Sequence, residues 1–84
     1  MKQLEEAEKI VITQIRERIV LLDQDFSSDA DLFEAGLDSM GIMQLLLVIE
    51  EQFGILLSPV DLTRDNFQTA QKIATLVRNR QEQD

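Results

Sequence analysis

Gly36-Leu37-Asp38-Ser39-Met40-Gly41 is the stretch that decides how this chain folds. Asp38 is a side chain of the kind that caps a helix, accepting a hydrogen bond from a backbone N–H two or three residues on. Gly36 just before it suits a tight turn that needs positive φ. A helix therefore starts after Asp38 and continues to about Phe53, where Gly54 supplies the left-handed residue that ends many helices. Ile42, Leu45, Leu46, Ile49 and Phe53 form its inward stripe, and Met40, Met43 and Leu47 lie on a neighbouring face. This helix is apolar over more than half its circumference, more than one packing face requires.

Upstream, Leu4, Ala7, Val11, Ile15, Ile19 and Leu22 recur at steps of three or four, with Ile10 and Val20 widening the stripe. That period predicts an amphipathic helix over about residues 3–21. From Asp23 to Asp38 the period lapses into turn chemistry, with Leu32, Phe33 and Leu37 as the points where a long loop is pinned to the core. So long a loop in so small a chain points to function or constraint. Downstream, Ser58 caps a short third helix opened by Pro59 over about 59–64. Thr69 opens a last helix to about residue 80, with Ala70, Ile73, Ala74 and Val77 facing inward beside Leu76. Arg78 and Arg80 stand at its C-terminal end, where the helix dipole favours cations. Residues 81–84 are expected to fray. The expectation is one all-α domain over residues 1–84 with four helices, a long loop after the first and a short third.

Composition narrows the function classes. The chain has 84 residues and is 44% hydrophobic, enough for one modest core. A chain this short buries only about 60–65% of the surface its unfolded form exposes. It has no Cys and no His, which excludes disulfides, thiol nucleophiles, Cys- or His-ligated metals and imidazole-based catalysis. Sixteen acidic against eight basic residues give a net charge of −8, the wrong sign for neutralising nucleic-acid phosphates. No apolar run approaches the roughly 20 residues of a membrane span, and the polar, acidic start does not read as a signal peptide. A cytoplasmic location and a monomeric state are the expectations. No Lys or Arg occurs between Ile19 and Thr63, where nine acidic residues stand. A solvated acidic face is one reading of that run; steering of basic protein partners is the other.

Ser39, at the first helical position, is the candidate functional residue. A helix N-terminus offers unpaired N–H groups and a positive dipole end, which favour a phosphate esterified there. Without His its hydroxyl has no evident base, so it fits the acceptor of another enzyme's reaction rather than a nucleophile in its own right. The ordinary reading of such a serine is simple capping chemistry.

At these residues the chain resembles the acyl and peptidyl carrier proteins. Asp31-Leu32-Phe33-Glu34-Ala35-Gly36-Leu37-Asp38-Ser39-Met40 is similar to their modification site. The resemblance runs on through Leu45-Leu46, Ile49-Glu50-Glu51, Phe53-Gly54-Ile55, Pro59 and the closing helix. It implies that Ser39 carries a covalent 4′-phosphopantetheine derived from coenzyme A, flanked by Asp38, Met40 and Gly41. It implies a protein that is not itself an enzyme, has no catalytic or metal-binding residue, and holds acyl or aminoacyl groups as thioesters. The implied partners are a phosphopantetheinyl transferase, an adenylate-forming or synthetase-like loading ligase, and a downstream acyl- or aminoacyl-transferase. Asp38 would assist the transferase, a role compatible with capping. Met40, Met43, Gln44 and Leu47 would form a docking face, with Glu50 and Glu51 adding ionic steering; core packing for the apolar three and plain solvation for the glutamates are the alternatives. Ser39-Met40-Gly41, Leu45-Leu46-Leu47 and Leu62-Thr63-Arg64-Asp65-Asn66-Phe67 look most like free-standing D-alanyl and aminoacyl carriers. Fatty-acid carriers usually have acidic residues where this chain has Gly41 and Gln44.

Two further readings stand beside it. Asp23, Asp25, Ser27, Asp31 and Glu34 have the spacing of an EF-hand calcium loop, although Ser28 replaces the glycine of its sharp turn and Ala30 the aliphatic residue that pairs two loops. The other is an acidic helical module that binds partners and is never modified.

Overall fold

A computed structural model describes residues 2–23 and 25–83, and the side chains of 4–23 and 25–82. Among them the structure is all-helical: α1 (Lys2–Arg18), α2 (Ser39–Phe53), α3 (Arg64–Phe67) and α4 (Ala70–Gln83), with a 3₁₀ turn at Pro59–Asp61 before α3. Helix α1 packs chiefly against α4, and more narrowly against α2, while α3 packs on α4. The core runs through Val11 and Ile15 of α1, Leu45 and Ile49 of α2, Phe67 of α3, and Ala70, Ile73 and Val77 of α4. Leu32 and Leu37 join it from the long loop, and Ile55 from the link after α2.

The helices begin where side-chain oxygens close them. Asp38 sits in extended conformation and its Oδ1 accepts from Gly41 N–H at 2.8 Å. Gly54 ends α2 at φ 65°, with its N–H donating to the Glu50 carbonyl at 3.0 Å. Thr69 Oγ1 accepts from Lys72 N–H at 3.0 Å and opens α4. Gly36 takes φ +117°, a conformation that L side chains rarely adopt.

Several boundaries differ from the periodic reading. Helix α1 stops at Arg18 because both the Ile19 and Val20 N–H groups donate to the Ile15 carbonyl, so the chain leaves the helix there and Leu22 reaches the core from beyond it. The third helix, expected over 59–64, divides into two. Asp61 Oδ2 accepts from Ser58 N–H at 2.9 Å and closes the 3₁₀ turn; Thr63 then starts α3 separately, accepting from Asn66 N–H at 3.1 Å. Helix α4 continues through the residues expected to fray, with an i,i+4 ion pair of Arg78 and Glu82 along its last turns, while Asp84 lies outside the described residues.

Candidate functional site

The long loop is tied to the junction of α3 and α4 by its own backbone. Leu32 N–H donates to the Gln68 carbonyl at 2.8 Å, and Gln71 N–H donates to the Ser28 carbonyl at 2.9 Å. Asp31 reinforces the junction: its Oδ1 accepts from Phe33 N–H at 2.8 Å and its Oδ2 from the Gln68 amide at 3.2 Å. The Gln68 amide, followed by the Glu34 and Phe33 N–H groups and the charge of Arg64, holds the Asp31 carboxyl below the usual carboxylate range. These anchors bury Leu32 and Leu37 and deliver Asp38 and Ser39 to the head of α2.

The same anchors bear on the calcium reading. Asp31 would be a ligand there, but its oxygens already serve Phe33, Glu34 and Gln68. Among the described residues, no three acidic side chains gather as metal ligands would.

Ser39 is exposed as the first residue of α2, and among the described residues its hydroxyl makes no hydrogen bond. The helix start leaves its N–H and that of Met40 without intrahelical partners. Beside it lies an open groove of about 440 Å³, lined by Phe33, Leu37, Asp38, Ser39, Ile42 and Arg64. An uncommitted hydroxyl, free N–H groups and adjoining open space are what a serine-linked phosphodiester requires, so the residues present fit such a group. Gly41, one turn into the helix, is buried: a Cβ there would lie 2.7 Å from Leu37 Cδ1 and 3.2 Å from Ile19 Cγ2. Its small size lets the loop and the end of α1 close against the head of α2.

Along α2, Met40, Met43 and Leu47 are 74%, 54% and 65% exposed, so none of the three belongs to the core. Gln44 and Glu51 are exposed with them. Glu50 is half-buried and turned to structural use, its Oε2 accepting from Leu57 N–H at 3.0 Å; Glu51 lies 3.9 Å from Arg18. Of the inward stripe, Leu45 and Ile49 are buried, Ile42, Leu46 and Phe53 are partly covered, and Val48 is buried although the stripe did not include it. The sequence reading also missed Arg64 as a neighbour of Ser39. Its guanidinium lies 4.1 Å from the centroid of the Phe33 ring, a pairing across 31 positions that no local pattern signals.

The family profile described as the phosphopantetheine attachment site matches residues 9–77. The chain belongs to that family and is a carrier protein, of the kind that bears a covalently attached 4′-phosphopantetheine. Its similarity extends to proteins named D-alanyl carrier protein. That of Streptococcus sanguinis (strain SK36) is 38% identical over 66 residues, 77% of this chain and 84% of the relative. That of Streptococcus suis (strain 05ZYH33) is 38% identical and that of Streptococcus gordonii (strain Challis) 36%, with the same coverage.

Proposed function

We propose that Ser39 is the attachment residue and that the protein carries an aminoacyl group, of the chemistry of D-alanine, as a thioester between a loading enzyme and an acceptor enzyme. The observation that supports this most is an exposed serine with an uncommitted hydroxyl at the head of α2, next to an exposed methionine and leucine face. The arm supplies, when bound, the thiol that a chain without cysteine lacks. The protein's own part is presentation. Asp38 holds the helix start rigid through Gly41, and Leu37 and Gly41 seat that start on the core.

In this reading the chain is not itself an enzyme. A phosphopantetheinyl transferase installs the arm, an adenylate-forming ligase loads it, and a transferase removes the cargo. Met40, Met43, Gln44 and Leu47 are the surface these enzymes share, and methionine suits a face that meets several partners because its side chain adapts. Glu51 adds attraction for basic partner grooves, and Glu50 acts mainly by bracing the segment after α2. The steps take place in the cytoplasm, with the carrier as a monomer; among the described residues no helix is long and apolar enough to cross a membrane. The name of the streptococcal relatives supports the choice of cargo.

The test is a charging assay. The arm-bearing protein is mixed with ATP, an adenylating ligase from a D-alanyl carrier system, and radiolabelled D-alanine or a fatty acid. A hydroxylamine-labile D-alanine adduct, absent from Ser39→Ala, is the expected result. Preferential charging by fatty acid through a fatty-acyl ligase would replace the proposed cargo class.

A further inference from the structure

Arg64 is the first cation after an acidic run that begins beyond Arg18, and it stands on the groove that Ser39 opens into. Three observations define its state. Its guanidinium lies over the Phe33 ring at 4.1 Å, so the side chain is held by one face. Among the described residues it makes no hydrogen bond or ion pair, so its N–H edge is uncommitted. The carboxylate whose charge it does feel, Asp31, is already occupied by Phe33, Glu34 and Gln68. A planar cation clamped by its face, with its donors free, is suited to bidentate contact with a phosphate.

We infer that Arg64, positioned by Phe33, receives the phosphodiester of a Ser39-linked arm and so fixes the arm's first segment against the groove between the long loop, the head of α2 and α3. The inference rests on Ser39 being the attachment residue. It goes further by assigning a phosphate-binding role to a side chain outside the attachment segment, and by giving Phe33 a positioning role. Lysine would retain the charge at this position but lose both the stacking and the forked geometry. An exposed ionic contact of this kind weakens as salt rises.

The experiment compares the protein with and without the arm, in the parent, Arg64→Lys and Arg64→Ala. Intact mass first establishes whether the arm is on. Nitrogen–proton NMR then follows the Arg64 Nε–H and the backbone amides of residues 33 and 63–67, with the backbone amide of the buried Ile15 in α1 as an internal control. In the parent, attachment should shift the Arg64 Nε–H and those amides, and added salt should shrink the shifts while the Ile15 amide stays in place. In Arg64→Ala the amide shifts at 63–67 should be lost while those at 39–42 persist, with Arg64→Lys between the two. Should Arg64→Ala lose its helical circular dichroism, the parent and Arg64→Lys still decide the matter. An Arg64 signal that is identical with and without the arm, in protein whose mass proves attachment, overturns the inference alone. A mass that never gains the arm overturns the attachment reading, and this inference with it.

Discussion

Helices α2 and α4 are nearly equal in length and spend their apolar residues differently. In α4, Ala70, Ile73, Ala74 and Val77 are all fully buried, Leu76 is partly covered against the core, and the rest of the helix is polar. In α2, Leu45 and Ile49 are buried in the same way, but Met40, Met43 and Leu47 stay in contact with water. Helix α4 has just enough apolar surface for the neighbours it packs on, α1 and α3. Helix α2 has more than its packing uses, and the surplus lies on the side of the molecule where Ser39 is exposed. An uncovered apolar face costs a small protein solubility, so its place beside Ser39 fits the proposed encounter with partner enzymes better than a role in folding.

That contrast can be broken by substitution. The largest effect belongs to the buried side. Phe67→Ala removes the largest fully buried side chain and should cost about 3–5 kcal/mol, enough to leave much of this small chain unfolded in a urea titration. A loss below about 1 kcal/mol would mean that α3 is not part of the core.

The next effect lies where α4 meets the segment before α3. Asp61 accepts from Ser58 N–H and pairs with Arg80, whose guanidinium also donates to Ser58 Oγ at 3.4 Å. The Ser58 N–H and the Arg80 charge hold the Asp61 carboxyl below its ordinary value. Asp61→Ala should therefore cost about 1–2 kcal/mol, the usual range for losing a cap together with a charged hydrogen bond. The sign of the pH dependence follows from the lowered value. Asp61 stabilises the fold above the unfolded carboxylate range and loses that contribution as pH falls through its folded value. Urea midpoints of parent and variant should thus differ at pH 7 and converge as the pH is taken below about 4. A constant gap across that window would show that the interaction does not depend on Asp61 ionisation.

The smallest effect on stability, and the sharpest on partners, is expected from Met43→Glu. At a half-exposed helix position it should change stability by no more than about 0.5 kcal/mol. Loading by the ligase should nevertheless fall. A loss of circular dichroism on this substitution would move Met43 into the core and dissolve the contrast between the two helices.

What could be read from the sequence was local chemistry. Asp38 at the head of α2, Gly54 at its end, Gly36 in the loop and Thr69 before α4 all act through hydrogen bonds or backbone angles set within a few residues. What could not be read depends on residues far apart along the chain. Asp61 is held by Arg80 at a separation of 19 residues, and its closure of the Ser58 turn ends the helix that Pro59 opens, so one expected element became two. The burial of Gly41 has no hydrophobic signal, because a glycine contributes closeness rather than side-chain surface. Arg64 over Phe33 likewise joins α3 to the loop only in three dimensions. At the candidate site, the serine and its cap were therefore legible, and the groove beside them was not.

The proposed attachment of the arm to Ser39 is open to direct measurement. The measurement is intact mass, followed by peptide fragmentation, of the parent and Ser39→Ala after incubation with coenzyme A, magnesium and a broad-specificity phosphopantetheinyl transferase. The expected result is one phosphopantetheine on the parent, localised to Ser39, and none on a normally folded Ser39→Ala. A parent that stays unmodified while a control carrier is converted, or a Ser39→Ala that still gains the arm, would contradict it.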